Sequence, residues 1–352
     1  MQDDRPVAVV TGASAGIGRA VALAFAREGA CVALIARGRD RLESAAREVE
    51  EAGGRALVLI ADVADGEAVD KAAEEVMRAF GRIDIWVNNA MATIYSPVAR
   101  IRAEEVRRVT EVTYLGQVHG TLAALRHMRP RKSGTIVQIG SALAYRSIPL
   151  QSAYCAAKAA VRGFTDALRS ELIHERSGIR VTMVQLPAVD TPQFDWARSR
   201  MSRRLQPVPP IHAPEPVAEA ILRASFEAPR ELWVGAPTAQ AILGTFLMPE
   251  TMDRMMARQA WPGQMTDEAA RPHADNLFEA PPGDPGARGR FGARSRKRVT
   301  AYSEATARGL VGFAILGAAA GVAALGAYLG SRRAGPRQAQ LEDRERAARF
   351  VA

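Results

Sequence analysis

Short apolar runs alternate with longer amphipathic segments through the first 235 residues of the chain. Seven runs have the length and continuity of strands: residues 7–10, 31–35, 56–60, 83–87, 135–139, 180–185 and 232–234. Helical periodicity fills the segments between them, at residues 17–28, 39–52, 66–80, 103–127 and 152–176. Continuous apolar strands separated by helices indicate a parallel sheet that is covered on both faces. We therefore predict an α/β fold built on a doubly wound, seven-stranded parallel sheet.

Two later segments break this rhythm. Residues 190–216 are rich in proline and arginine and follow a strand end, where open α/β sheets bind ligands, so we expect a loop or lid on the substrate side. Its arginines could face an acidic substrate or a membrane surface, and the sequence does not choose between these. Residues 261–298 are rich in proline, glycine and arginine and lack periodicity, which is typical of a linker. We predict a folded domain over 1–255 and a linker over 256–308.

Residues 310–329 contain no charged side chain. A helix of this length would be about 30 Å long, which is enough to cross a bilayer core. The alternative is a buried helix of a soluble domain, since seven alanines and four glycines make the run only modestly hydrophobic. We predict a transmembrane helix over 309–330 and a charged tail over 331–352. Basic residues before the run favour a membrane-anchored protein whose folded domain is cytoplasmic.

Composition adds few constraints to this organisation. The chain has 352 residues, a net charge of +9 and two cysteines, so a disulfide framework is not indicated. Its five histidines have no metal-ligand spacing, and we predict no metal site. The pI of about 10.1 allows a nucleic-acid partner, but no basic motif interleaved with aromatic residues supports one.

A glycine-rich loop follows the first predicted strand. In "VAVVTGASAGIGRAVALAF", Gly12, Gly16 and Gly18 stand between a strand and a helix. Glycines at these positions permit a tight turn and a close backbone approach, so that a pyrophosphate can lie at the helix N-terminus. The spacing is G-x3-G-x-G and differs from the usual dinucleotide fingerprint. The loop predicts nucleotide binding.

The end of the second predicted strand distinguishes between two nucleotides. An acidic residue there favours NAD, whereas an arginine accommodates the 2′-phosphate of NADP. Here Ala36 stands at the position of the acid and Arg37 follows it. We therefore predict that NADP(H) is preferred over NAD(H). The alternative is that these arginines only begin a solvated helix.

Several motifs together resemble those of the short-chain dehydrogenase/reductases over roughly residues 5–235. They are "TGASAGIG" at 11–18, "ADV" at 61–63, "NNA" at 88–90, Ser141 after "IVQIG", and "YCAAK" at 154–158. The resemblance implies a single Rossmann-like domain and an NAD(P)-dependent oxidoreductase, often dimeric or tetrameric. The expected cofactor contacts are Gly12, Ser14, Gly16, Ile17, Gly18, Arg37, Asp62, Val63, Asn88, Ala90, Tyr154, Lys158, Pro187 and Thr191.

Tyr154 and Lys158 are one helical turn apart, and their chemistry agrees with this resemblance. A phenol has a pKa near 10, which suits proton transfer at neutral pH poorly. A lysine on the same helix face favours the phenolate and lowers the pKa of the tyrosine. Ser141, at the end of the fifth strand, can hold the substrate oxygen. We predict Ser141, Tyr154 and Lys158 as catalytic residues.

Three positions depart from the family pattern. The fourth catalytic residue of the family is an asparagine that holds a bent helix backbone and a water leading to Lys158, and Thr113 stands in its place. Its hydroxyl can replace part of this role, so the proton relay stays open. Met91 and Ala188 stand where the family usually has glycine, and both add volume near the cofactor.

The sequence thus predicts an NADP(H)-dependent oxidoreductase that interconverts a hydroxyl and a carbonyl group on a small, lipophilic substrate, with Tyr154 as general acid/base. The alternative is a scaffold or sensor that binds NADP(H) without turnover. A homo-oligomer is expected, and the substrate and reaction direction are not determined by the sequence.

Overall fold

The computed structural model describes residues 4–307 and 309. The chain divides into two units, the first of which ends at Ser303. In the second unit, the described residues 304–307 and 309 are helical. The sheet, the helices that cover it and the candidate site all belong to the first unit.

Among the described residues, eight strands form the main sheet, one more than predicted. They are β1 (Val7–Thr11), β2 (Cys31–Ala36), β3 (Arg55–Ile60), β4 (Ile85–Asn88), β5 (Gly134–Ile139), β6 (Ile179–Gln185), β7 (Glu231–Val234) and β8 (Ala301–Ser303). Their order is β8-β7-β6-β5-β4-β1-β2-β3, and all neighbours are parallel except β7 and β8. The order reverses between β1 and β4, so the crevice at their carboxyl ends is the expected ligand site.

Within residues 4–303, nine α-helices of seven residues or more connect these strands or follow them. They are α1 (Gly16–Arg27), α2 (Arg39–Glu51), α3 (Gly66–Phe80), α4 (Ala103–Thr110), α5 (Gly116–Met128), α6 (Ser152–His174), α7 (Pro214–Glu227), α8 (Ala236–Leu247) and α9 (Pro249–Met255). Strand alternation fixes the two faces: Ala8 and Val10 enter a core with α1, α2 and α7, whereas Val7 and Val9 enter one with α3 to α6. The predicted Rossmann-like sheet with two covered faces agrees with this arrangement.

Residues 256–303, most of the segment that composition assigned to a linker, pack onto the domain. Met265–Ala269 pairs with Arg203–Leu205, Ala301–Ser303 forms β8, and Leu277 is fully buried in the core beside α3 to α6. Between its two short strands, carbonyl groups of this segment accept hydrogen bonds from arginine side chains. Such contacts impose no periodicity, so the sequence pattern did not reveal the packing.

The predicted transmembrane helix is the part of the fold class that needs correction. Among residues 4–307 and 309, no helix is both long enough and apolar enough to cross a membrane. The longest of these helices, α6, carries Lys158, Arg162 and Asp166 along its length, and such charges are costly in hydrocarbon. The fold class supported here is the α/β sheet alone. Residues 310–330 and the tail at 331–352 lie outside the described residues.

Gly120 of α5 allows the helix to approach β4 closely. A Cβ atom at Gly120 would lie 2.6 Å from Nε1 of Trp86 and would collide with the side chain of Asn88. We expect Gly120→Ala to lower the free energy of unfolding by about 1–3 kcal/mol, as overpacking of a core does. Urea unfolding measures this change.

Gly163 of α6 is the matched control. It is exposed, and a Cβ atom there would meet nothing within 4 Å. Gly163→Ala should therefore raise the free energy of unfolding by about 0.5–1 kcal/mol, because alanine has less backbone entropy to lose. Equal effects of the two substitutions would contradict the packing argument.

Candidate active site

The glycine loop joins β1 to α1 at the reversal of strand order. Gly12 and Gly16 have φ values of +67° and +58°, in the left-handed region that favours glycine. A Cβ atom at Gly12 would stand 2.9 Å from the Cα atom of Ala90, so the loop touches the segment after β4. The helix begins at Gly16, and its first amides point toward the crevice end of the sheet. This cradle fits a pyrophosphate.

Thr11 and Asn89, which sequence reasoning did not select, hold the loop in place. The Thr11 hydroxyl accepts hydrogen bonds from the backbone amides of Asn89, at 2.9 Å, and Ala90, at 3.1 Å. The Asn89 amide group donates to the carbonyl of Thr11 at 2.9 Å. The second asparagine of "NNA" was a usable signal for this role, since it directly follows a strand end beside the loop.

Asn88 has a different place from the one expected for a residue along the nucleotide path. Its side chain is fully buried, donates to Gln138 at 3.0 Å and Thr121 at 3.1 Å, and accepts from Trp86 at 2.8 Å. The side-chain amide therefore ties β4 to β5 and α5. Ala90 is half-buried at the loop, and its amide binds Thr11.

At the ends of β2 and β3, the expected adenosine-side residues bind other parts of the chain. Arg37 donates to the carbonyls of Phe278, at 2.7 Å, and Asn276, at 2.6 Å. The Asp62 carboxylate accepts the amide of Ala64 at 3.0 Å and pairs with Arg108. Burial is the main cause that lowers the pKa of Arg37 below its ordinary value. Arg37 nonetheless remains a cation at neutral pH.

Ser141, Tyr154 and Lys158 come together at the carboxyl end of β5. Ser141 follows this strand after Gly140, and Tyr154 and Lys158 lie in the first turns of α6. The Lys158 Nζ atom is 5.8 Å from the centre of the Tyr154 ring and donates to the carbonyl of Ile139 at 2.6 Å. Ser141 is hydrogen-bonded to Tyr154 and also accepts the amide of Leu143 at 3.1 Å. The three residues that the sequence predicted as catalytic therefore lie together at this strand end.

Burial shifts both titratable groups of this set toward their neutral forms. The pKa of Tyr154 is raised by burial, and the hydrogen bond with Ser141 opposes part of that rise. Burial lowers the pKa of Lys158 to about 7, because the ammonium loses its hydration. The expected lowering of the tyrosine pKa by Lys158 is absent from this balance, because a lysine with a pKa of about 7 is already neutral at the higher pH where the phenol titrates.

Thr113 lies within a π-helical turn, Glu111–Leu115, between α4 and α5. Its hydroxyl is fully buried, donates to the carbonyl of Ala92 at 2.9 Å and accepts the amide of the same residue at 2.9 Å. The helix bend expected here is thus present as a π turn. Both hydroxyl bonds hold the segment after "NNA", so they do not supply the proton relay that the sequence left open.

A buried carboxylate stands behind Ser141, and the sequence pattern gave no signal for it. The backbone amide of Ser141 donates to Oε1 of Gln185 at 2.8 Å, and the Gln185 amide group reaches Glu231 at 3.4 Å. Glu231 is 1% exposed and accepts from the Tyr145 hydroxyl at 2.9 Å and Trp233 Nε1 at 3.0 Å. This network fixes the backbone that carries Ser141.

The loop after β6 lies beside the glycine loop. A Cβ atom at Gly16 would stand 3.4 Å from the Thr191 side chain, so Thr191 lies next to the start of α1. Pro187 and Ala188 are half-buried just before it, and Met91 is half-buried on the segment after β4. These positions agree with a nicotinamide end of the groove between the two loops.

The arginines of the 190–216 segment are occupied by carboxylates. Arg198 and Arg200 donate to Glu105 at 3.2 and 2.8 Å, and Arg204 pairs with Glu268 at 2.7 Å. Glu105 is 1% exposed, so two of these cations neutralise a buried acid. The sequence left open whether these arginines face an acidic substrate or a membrane surface. Their ion pairs within the chain account for them without either partner.

Comparisons with known proteins identify the family of this chain. A family profile described as "short chain dehydrogenase" matches residues 6–201. An uncharacterized oxidoreductase of Bacillus subtilis, YxnA, is 35% identical over 280 residues, which are 78% of each chain. A fatty acyl-CoA reductase of Acinetobacter baylyi is 32% identical over 228 residues, or 64% of this chain and 75% of the relative.

A solved structure extends the likeness to the fold. An alcohol dehydrogenase from the archaeon Thermococcus sibiricus, complexed with 5-hydroxy-NADP, superposes with a TM-score of 0.56 at 30% identity, covering 65% of this chain and 96% of that one. The chain belongs to the short-chain dehydrogenase family, as an oxidoreductase that acts on CH–OH donors.

Proposed function

We propose that this oxidoreductase uses NADP(H) and that Tyr154 exchanges the proton while a hydroxyl and a carbonyl group are interconverted. The observation that carries the proposal is the meeting of Ser141, Tyr154 and Lys158 at one strand end, beside the glycine loop. The cofactor, when bound, donates or accepts the hydride. The protein supplies position and proton transfer.

The chain's own groups divide this work. The Gly12–Gly18 loop cradles the pyrophosphate, and Arg37 binds the 2′-phosphate through its guanidinium. Ser141 holds the substrate oxygen, and its backbone is held by Gln185. The Tyr154 hydroxyl donates its proton to that oxygen during reduction and regains one during oxidation.

Lys158 tunes this exchange through its own protonation. A pKa of about 7 lets its ammonium form at neutral pH without a permanent charge in the buried site. The charged form favours the phenolate, and the neutral form favours the phenol, so Lys158 allows Tyr154 to work in both directions. Lys158 also donates hydrogen bonds and in this role would hold the nicotinamide ribose.

A lipophilic alcohol or carbonyl compound is the proposed substrate class. The likeness to a fatty acyl-CoA reductase supports this choice. A homo-oligomer is also proposed, because an apolar groove between α5 and α6 exposes Leu122 to 48% and is lined by Phe164 and Leu168. The rival function, an NADP(H)-binding scaffold without turnover, is disfavoured by the intact three-residue cluster.

Removing the Tyr154 hydroxyl separates catalysis from binding. We expect Tyr154→Phe to lower kcat by about 10²–10⁴-fold, the usual contribution of general acid–base catalysis, and to leave the Kd for NADPH within about twofold. Steady-state NADPH oxidation against a panel of aldehydes and ketones measures the first value, and fluorescence titration the second. Tyr302→Phe on β8 is the control and should retain full activity. Substantial turnover by Tyr154→Phe would refute the assignment, and inactivity of the unaltered enzyme with every compound would favour the scaffold.

Arg37 is the proposed specificity residue for the 2′-phosphate. We expect Arg37→Ala to reduce the ratio of NADPH affinity to NADH affinity by about 10–100-fold, since hydrogen bonds to charged groups are worth roughly 1.5–3 kcal/mol. The ratio is the correct readout because Arg37 also binds residues 276–279, a contact that affects both nucleotides alike. Arg39→Ala, at an exposed side chain two residues on, is the control and should leave the ratio unchanged.

Burial of Lys158 predicts a pH-dependent stability. Its folded-state pKa of about 7 lies below the ordinary value of 10.5, so the folded protein binds fewer protons between these pH values. The stability cost is therefore complete below pH 7 and is relieved as the pH rises toward 10.5. Lys158→Met should be more stable than the unaltered protein at pH 6.5, by up to roughly 4 kcal/mol, and this gain should shrink at pH 9.5. Urea unfolding at both pH values measures it.

Lys297→Met is the control for that experiment, because Lys297 is exposed. It should change stability by the same small amount at both pH values. A pH-independent gain for Lys158→Met would mean that its ammonium stays charged in the folded protein.

A further inference from the structure

Residues 276–289 run along the whole groove in which the proposed cofactor would lie. The segment begins at the ends of β2 and β3, passes the start of α1 and reaches the loop after β6. Each of these places also contains a residue expected to contact the nucleotide. We call residues 276–289 the strap.

The adenosine end of the groove is filled by Leu277. This side chain is 0% exposed and belongs to the same apolar cluster as Val63 and Val112. Its carbonyl accepts a hydrogen bond at 2.9 Å from Arg108, which also pairs with Asp62. Arg108 thus joins the backbone of Leu277 to Asp62, beside which the adenine ring is expected.

The cations near the proposed 2′-phosphate site bind carbonyl groups of the strap. Arg37 donates to Asn276 and Phe278, as described above. Arg41 donates to the carbonyls of Gly283, at 2.6 Å, and Pro282, at 2.8 Å. Their hydrogen-bond donors are thus directed at the strap instead of at an anion.

A carboxylate of the strap adds a negative charge beside the glycine loop. Asp284 accepts hydrogen bonds from Arg19 at 2.5 Å and from the Ser44 hydroxyl at 2.5 Å. Two residues later, the carbonyl of Gly286 accepts the backbone amide of Gly16 at 3.1 Å. That amide opens α1 and is one of the groups that would otherwise bind the pyrophosphate.

The far end of the strap is fastened to the loop after β6. The amide of Gly289 donates to the carbonyl of Asp190 at 3.2 Å, and a Cβ atom at Gly289 would stand 2.6 Å from the carbonyl oxygen of Thr191. Glycine is therefore needed where the strap passes Thr191. The Phe291 amide also donates to the Asp190 carboxylate at 3.0 Å.

We propose that the dinucleotide groove is also a binding site for the chain's own residues 276–289, and that this strap must leave before NADP(H) binds. This inference rests on the proposed function for its use of NADP(H). The strap and the nucleotide exclude each other because the Gly16 amide has one hydrogen to donate and the space around Leu277 holds one apolar group. NADP(H) can bind only to the fraction of molecules from which the strap has lifted. The apparent Kd is therefore the intrinsic Kd divided by that fraction.

Both ends of the strap are attached to the domain, so it lifts as a loop and returns rapidly. Asp275, just before it, pairs with Arg198 at 2.8 Å, and Phe291, just after it, is buried against Phe194 and Leu205. An attached competitor of this kind has a high effective concentration and acts at any protein concentration.

The test alters the strap and leaves the groove intact. We expect Asp284→Asn to lower the Kd for NADPH about three- to tenfold, and Leu277→Ser to lower it tenfold or more, because each removes a contact of the strap. Glu279→Gln is the matched control: it removes the same charge from an exposed side chain of the strap and should leave the Kd unchanged. Isothermal titration with NADPH measures all four proteins, and Asp284→Asn alone suffices if Leu277→Ser does not fold.

Hydrogen exchange of the strap amides supplies a readout that does not depend on activity. Addition of NADPH to the unaltered protein should increase exchange at residues 276–289. Decreased exchange, or weaker binding by Asp284→Asn and Leu277→Ser, would overturn the strap and show a segment that closes over the nucleotide. Equal Kd values for all four proteins would also overturn it while leaving the proposed cofactor intact. Failure of every folded protein to bind NADPH would overturn the proposed cofactor, and the strap with it.

Discussion

The hydrogen bonds between Thr11 at the end of β1 and the segment after β4 define the groove on which the rest of the site depends. One hydroxyl accepts two backbone amides, and Asn89 returns a bond to the Thr11 carbonyl. These bonds join the two strands at which the order of the sheet reverses. They hold Gly12 so close to Ala90 that a side chain at Gly12 would not fit. A slight separation of these strand ends would move the glycine loop away from Ala90.

Behind the catalytic cluster, the structure keeps polar groups buried and provides each with partners. Lys158 binds a strand carbonyl, Ser141 is supported by Gln185, and Glu231 receives three donors. Such networks are favourable only when nearly every member is satisfied. Burial without a carboxylate partner among the described residues costs Lys158 part of its charge, since its pKa is lowered to about 7.

Three cations of the groove bind the strap in the structure. Arg37, Arg41 and Arg19 suit an anionic nucleotide, yet they bind carbonyls and one carboxylate of residues 276–289. Because arginine offers several donors in a fixed plane, the same side chain can bind a phosphate or a peptide backbone. The proposed competition between the strap and NADP(H) rests on this chemistry.

Much of the molecule was determined by local sequence. Apolar runs and helical periodicity predicted the sheet and its covering helices, because burial of alternate side chains imposes those patterns. The candidate site was also predicted from local sequence. Its signals were glycines in a strand-to-helix turn and a tyrosine and a lysine one helical turn apart, and both lie within a few consecutive residues.

Only the tertiary structure decided what depends on contacts between distant residues. Glu231 supports Ser141 from 90 positions away in the chain, and Leu277 enters the core from a segment whose composition resembles a linker. The eighth strand and the ion pairs of the 190–216 segment also depend on contacts between residues that are far apart in the chain. No local pattern records such contacts, because hydrogen bonds to side chains impose no periodicity on the sequence. The sequence by itself predicted the parallel sheet and selected Ser141, Tyr154 and Lys158 as a set, because both leave local patterns. Tertiary packing decided the eighth strand and what lies in the groove.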